Sequence, residues 1–70
     1  MNKTKWYKSV TKLESLEVGA KIAFGELPYA SQWHKTNEGW QKLGSSFPAW
    51  SAKTTIHYEN GKQFQVIDND

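Results

Sequence analysis

The side chains able to do chemistry are few and of a narrow kind. His34 and His57 are the only histidines, cysteine is absent, and all nine basic residues are lysine. Nucleophilic or acid–base catalysis needs a nucleophile held against a base that a third group orients, and neither histidine stands in a motif of that sort. A metal site needs three or four converging ligands; two histidines without cysteine or clustered carboxylates do not supply them. The five glycines are dispersed at turns, so no phosphate-cradling loop is present. The sequence reads as non-enzymatic, with no cofactor and no metal.

Aromatic residues are the remaining signal. Ten of seventy residues are Phe, Trp or Tyr, against only ten Ile, Leu and Val, so some rings must fill the core. Trp33 and Phe64 are expected there. Trp40, placed beside His34 by the strand pattern, Trp50 after the turn-like Ser45-Ser46-Phe47-Pro48, and Trp6 among lysines are candidates for an exposed surface, against burial in a satellite cluster. Exposed tryptophan is enriched at protein interfaces and stacks on bases. Two functions follow. In the first, Trp40, His34 and Trp50 anchor a protein partner, with lysines at the rim, and the chain occludes or recruits that partner as compact phage or mobile-element accessory factors do. In the second, Lys3, Lys5, Lys8 and Lys12 attract a single-stranded nucleic acid or small nucleotide on which Trp6 and Tyr7 stack. A solvated lysine edge that blocks strand-to-strand aggregation explains the same lysines without a ligand.

The elements that must position these residues are short. Lys5–Val10 is expected as a strand. Thr11-Lys12-Leu13-Glu14 then gives a capping-box pattern with Glu14 three residues after Thr11, for one or two helical turns that Gly19 ends. Ala20–Phe24 reads as a strand with Ile22 and Phe24 on one face, and Gly25–Ser31 as a loop. Gln32–Leu43 forms a hairpin around Asn37-Glu38-Gly39, pairing Thr36 with Trp40 and Trp33 with Leu43. A one-residue slip would exchange the faces. The last segment reads as a second hairpin with the loop Glu59-Asn60-Gly61. Pairing Ile56 with Phe64 and Thr54 with Val66 gathers the apolar residues on one face, which the two-residue Asn-Gly turn does not.

Composition bounds the rest. Surface scaling leaves roughly 4,500 Å² exposed of about 11,600 Å², a marginal core, so residues 1–70 form a single domain. Mean hydropathy is −0.78 but net charge is only +2, and the aromatic content argues against disorder. Residues 1–12 carry four lysines and no acid, whereas 13–70 carry five lysines and seven acids. A basic segment 1–12 thus precedes a weakly acidic body. Without arginine, bidentate reading of duplex DNA is disfavoured. No apolar run reaches a membrane span and the start lacks a signal-peptide pattern, so a cytoplasmic chain without membrane contact is expected. With disulfides and metals excluded, self-association into a homodimer is one stabiliser still open.

Short strands and glycine turns argue for an all-β, or mainly β, antiparallel meander of five to six strands with one short helical turn. The run Leu16-Glu17-Val18-Gly19-Ala20-Lys21-Ile22 resembles the turn into a strand of Src-homology-3-like barrels. Trp33-His34-Lys35 and Gly39-Trp40 resemble the paired tryptophans of their bacterial cell-wall-type members. The resemblance covers about half the chain and implies a small barrel, not a ligand, since the groove signature of those members is absent. Lys5-Trp6-Tyr7 resembles the first strand of cold-shock proteins, but the paired aromatic motifs that should follow are missing, and membership is rejected.

Overall fold

A computed structural model describes residues 4–68; Lys3 of the basic segment lies outside them. The order is α1 (Val10–Ser15), β1 (Lys21–Phe24), β2 (Ser31–Thr36), β3 (Gly39–Lys42), α2 (Ala52–Tyr58) and β4 (Gln65–Asp68). The four strands form one antiparallel sheet in the order β3-β2-β1-β4. The protein is small and mainly β, as expected; the described residues form four strands where five to six were anticipated, and a second helix.

Two single bridges extend the sheet. Tyr7 pairs with Phe64 just before β4, and Trp50 pairs with Trp40 on the free edge of β3. Lys5–Val10 is therefore not a strand beyond that bridge, and Val10 already opens α1. The helix is capped by Ser9, whose Oγ accepts from Lys12 N at 3.2 Å, rather than by Thr11. That cap sets Leu13 at the centre of the core, fully buried, with Leu16 beside it. Lys35 then reaches from β2 to donate through Nζ to the carbonyls of Glu14 and Leu16, closing the C-terminal end of α1.

The first hairpin slips by one residue from the expected register. Thr36 pairs with Gly39, Lys35 with Trp40 and Trp33 with Lys42. Thr36 Oγ1 donates to Gly39 O at 2.9 Å and accepts from Glu38 N at 3.1 Å, which holds a two-residue turn at Asn37-Glu38. The slip puts Trp40 on the same face as Trp33 and buries both indoles, whereas the anticipated register left Trp40 outside with His34. Hiding two large rings under the helices outweighs the three-residue loop.

The last hairpin does not form; its first half is α2. Ser51 Oγ accepts from Thr54 N at 3.2 Å as N-cap, and Thr55 Oγ1 donates to Ser51 O at 2.9 Å. Ala52, Thr55 and Glu59 are buried and Ile56 half-buried, a spacing of 3, 4 and 7 that lays one helical stripe on the sheet. Asn60 and Gly61 both have positive φ, 59° and 69°, yet they end a helix rather than turn a hairpin. Gly61 N donates to Ile56 O and Asn60 N to His57 O, both at 3.0 Å, the paired bonds of a Schellman motif. The dipeptide's left-handed preference is realised, in a different element.

Both helices cover one sheet face, where Leu13, Leu16 and Ala52 meet Ile22, Phe24, Trp33, Trp40 and Phe64. Trp33 and Phe64 are core residues as expected. The registers place Lys21, Gln32, His34, Gln41 and Gln65 on the opposite, polar face, around the small Ala23.

Candidate partner-binding surface

Beyond the free edge of β3 the chain returns alongside itself. Trp40 N donates to Trp50 O at 2.7 Å and Trp50 N to Trp40 O at 2.9 Å. This close approach needs Gly39: an ideal Cβ there would stand 2.5 Å from Trp50 O, and φ is +134°. Gln41 Nε2 donates to Phe47 O, and Phe47 N donates to Ser45 Oγ at 3.0 Å, so the loop 43–49 is tied down at both ends of its aromatic residue.

The loop delivers Phe47 and Trp50 to Tyr58 at the end of α2. Phe47 and Trp50 stack with centroids 5.1 Å apart and planes 14° from parallel. Tyr58 stands edge-on to both, at 5.7 and 5.2 Å. Beneath them lies Trp33, 5.8 Å from Trp50 and from Tyr58. The Trp33 indole is held in turn by Glu59, whose Oε2 accepts from Nε1 at 3.0 Å. Phe47 and Trp50 are half-buried and Tyr58 is 44% exposed. The result is a rigid aromatic ridge on a buried support. Its rings offer desolvation, stacking and one phenolic hydroxyl. His34 lies on the polar sheet face and His57 on a different flank of α2, so neither histidine belongs to the ridge.

Of the three residues anticipated as partner anchors, only Trp50 reaches this ridge. Trp40 is 2% exposed and belongs to the core, a correction that follows from the hairpin slip. His34 is half-buried on the polar face between Lys21 and Gln41. The ridge's other two rings, Phe47 and Tyr58, are not among the expected anchors. The 3.6-residue periodicity of 52–59 is the signal that would have found Tyr58, since it leaves that ring off the buried stripe.

The basic segment is arranged differently from the anticipated stacking site. Tyr7 packs on Phe64 at 5.8 Å, with Lys12 Nζ 4.7 Å and Lys5 Nζ 6.0 Å from its ring centroid. The tyrosine is thus occupied by the core on one side and by lysines on the other. Trp6 is half-buried, and Lys5 and Lys8 are exposed. Among the described residues no cluster of three or more His, Asp or Glu side chains could hold a metal ion, and no helix is long and apolar enough to cross a membrane. Comparison with protein-family models, curated proteins and solved structures gives no significant match to the chain.

Proposed function

We propose that the protein is a small non-enzymatic binding module that engages a protein partner through Phe47, Trp50 and Tyr58. The observation that carries this reading is the exposure of Tyr58 within a set of mutually packed rings on fixed backbone. Rigid aromatic side chains that are part-exposed at an edge match the residue types that dominate interface energetics, and their low mobility lowers the entropic cost of binding. On this reading the module works by occluding or recruiting its partner. We also read the sheet as Src-homology-3-like; support comes from six antiparallel segments when the two bridging stretches at Tyr7 and Trp50 are counted.

The test compares the wild-type chain with Tyr58→Glu, a change at an exposed site. Immobilised wild type is expected to capture a partner saturably from a cell lysate, and Tyr58→Glu to weaken capture at least about tenfold, as loss of an interface hot spot does. Sedimentation equilibrium decides whether the partner is a second copy. A mass that rises with concentration for wild type but not for Tyr58→Glu assigns the ridge to a homodimer. Equal capture and equal mass for both chains would remove the ridge as a binding surface.

A further inference from the structure

A second surface lies on the other flank of α2. Val10 at the start of α1 and Lys53, Ile56, His57, Asn60 and Gly61 along α2 and its terminal turn line an open hollow of about 400 Å³. That is within the range of small binding sites. At 100° per residue, Lys53 and His57 fall on the side of the buried stripe that Ile56 borders, whereas Tyr58 falls on the other. The hollow and the aromatic ridge therefore face in different directions.

Its chemistry is uneven in a telling way. The floor is aliphatic, from the half-buried Val10 and Ile56, which also pack against the core. Gly61 contributes no side chain, and the space where its Cβ would stand is open. The rim carries the ammonium of Lys53, the His57 ring and the Asn60 amide, with no carboxylate among the lining residues. Exposed Lys8 lies two residues before Val10, and exposed Lys62 directly follows Gly61. The single acid of the stretch 52–62, Glu59, is turned inward to Trp33 Nε1. The one formal charge among the lining residues is therefore the positive charge of Lys53.

We propose that this hollow is a binding site for an acidic peptide, taking an apolar side chain onto Val10 and Ile56 while a neighbouring carboxylate meets Lys53 and Asn60. Charge complementarity selects an acidic ligand. The aliphatic floor selects a side chain over a nucleobase, which needs an aromatic platform. The site is independent of the ridge and stands whether or not the ridge binds a partner.

The test titrates the full ¹⁵N-labelled chain with an N-acetylated, C-amidated hexapeptide of alternating aspartate and leucine, following backbone amide shifts. Saturable shifts are expected at residues 10, 53, 56–57 and 60–61. Lys53→Glu should weaken binding at least about tenfold, while Lys21→Glu, the same charge change on the polar sheet face, should leave it within about twofold. Replacing aspartate by lysine, or leucine by serine, in the peptide should abolish the shifts. The proposal is overturned if no saturable shift occurs at these amides, if the lysine peptide binds equally, if the two variants behave alike, or if oligothymidylate moves the same amides at lower concentration.

Discussion

The indole N–H of Trp33, on β2, donates to the carboxylate of Glu59, 26 positions later at the end of α2, at 3.0 Å and out of solvent. This bond joins the sheet to the second helix and fixes the ring under the aromatic ridge. A buried donor that loses its acceptor costs about 1–3 kcal/mol, more than the bond itself contributes. In a 70-residue chain whose total stability is only a few kcal/mol, that is a large share. Glu59→Leu is expected to lower the unfolding free energy read from urea titration by that amount, and Glu59→Gln, which keeps a carbonyl acceptor, to stay within about 1 kcal/mol of wild type. Equal losses for the two variants would show that the carboxylate's charge, not its acceptor, is what matters.

Gly39→Ala tests the approach of Trp50 to β3. The alanine would be held at φ +134° with its Cβ against a backbone oxygen that cannot swing aside. Backbone strain alone costs about 1–3 kcal/mol, so the melting temperature should fall by about 10 °C or more. Gly44→Ala provides the control, because φ is +77° but nothing lies within 4 Å; it should cost clearly less. Calorimetry on both variants measures the difference, and equal losses would mean the Trp40–Trp50 bridge yields freely.

The turn after α2 makes a third case. Asn60→Gly is expected to leave stability unchanged or slightly raised, because glycine adopts φ 59° without strain. Gly61→Ala should cost about 1–2 kcal/mol at φ 69°, where only the backbone conformation is at issue. Urea titration with far-ultraviolet dichroism is the measurement. A destabilised Asn60→Gly would argue that the asparagine side chain contributes a bond of its own.

Burial of Trp33 and Trp40 against half-exposure of Trp6 and Trp50 predicts how the four indoles meet a quencher. Trp6→Phe should reduce the acrylamide-quenchable emission, and Trp40→Phe should remove emission that acrylamide does not reach. Quenching that drops with Trp40→Phe would place that ring outside after all, in the anticipated register.

Lys35 contributes through position rather than through an ion pair. Its ammonium serves two carbonyls at the end of α1 and lies 6.0 Å from the centroid of Trp40. Lys35→Met keeps the aliphatic stem but withdraws the donor. The expected loss is about 1 kcal/mol, with hydrogen exchange accelerated in α1 before the sheet. Unchanged exchange there would assign the helix's stability to Leu13 and Leu16 alone.

Local chemistry was enough to identify several elements. Ile22 and Phe24 alternate on one face, Leu13 and Leu16 recur at helical spacing, and Gly19 and Asn60-Gly61 ask for positive φ wherever they fall; each is legible in the residues themselves. So is the core placement of Trp33 and Phe64. What the residues did not decide is which partner each element meets. Thr54 to Tyr58 satisfies a period of two as well as a stripe at 52, 55, 56 and 59, and β-branched residues favour the strand. The helix forms because Ser51 caps it, Asn60 and Gly61 close it, and its stripe can be buried beside α1 on the sheet. The hairpin register is likewise a tertiary matter: one slipped residue decides whether Trp40 is solvated or hidden, and only the helices above the sheet make hiding it favourable. The ridge of Phe47, Trp50 and Tyr58 depends on both outcomes, because it exists only where the slipped β3 meets the end of a helix.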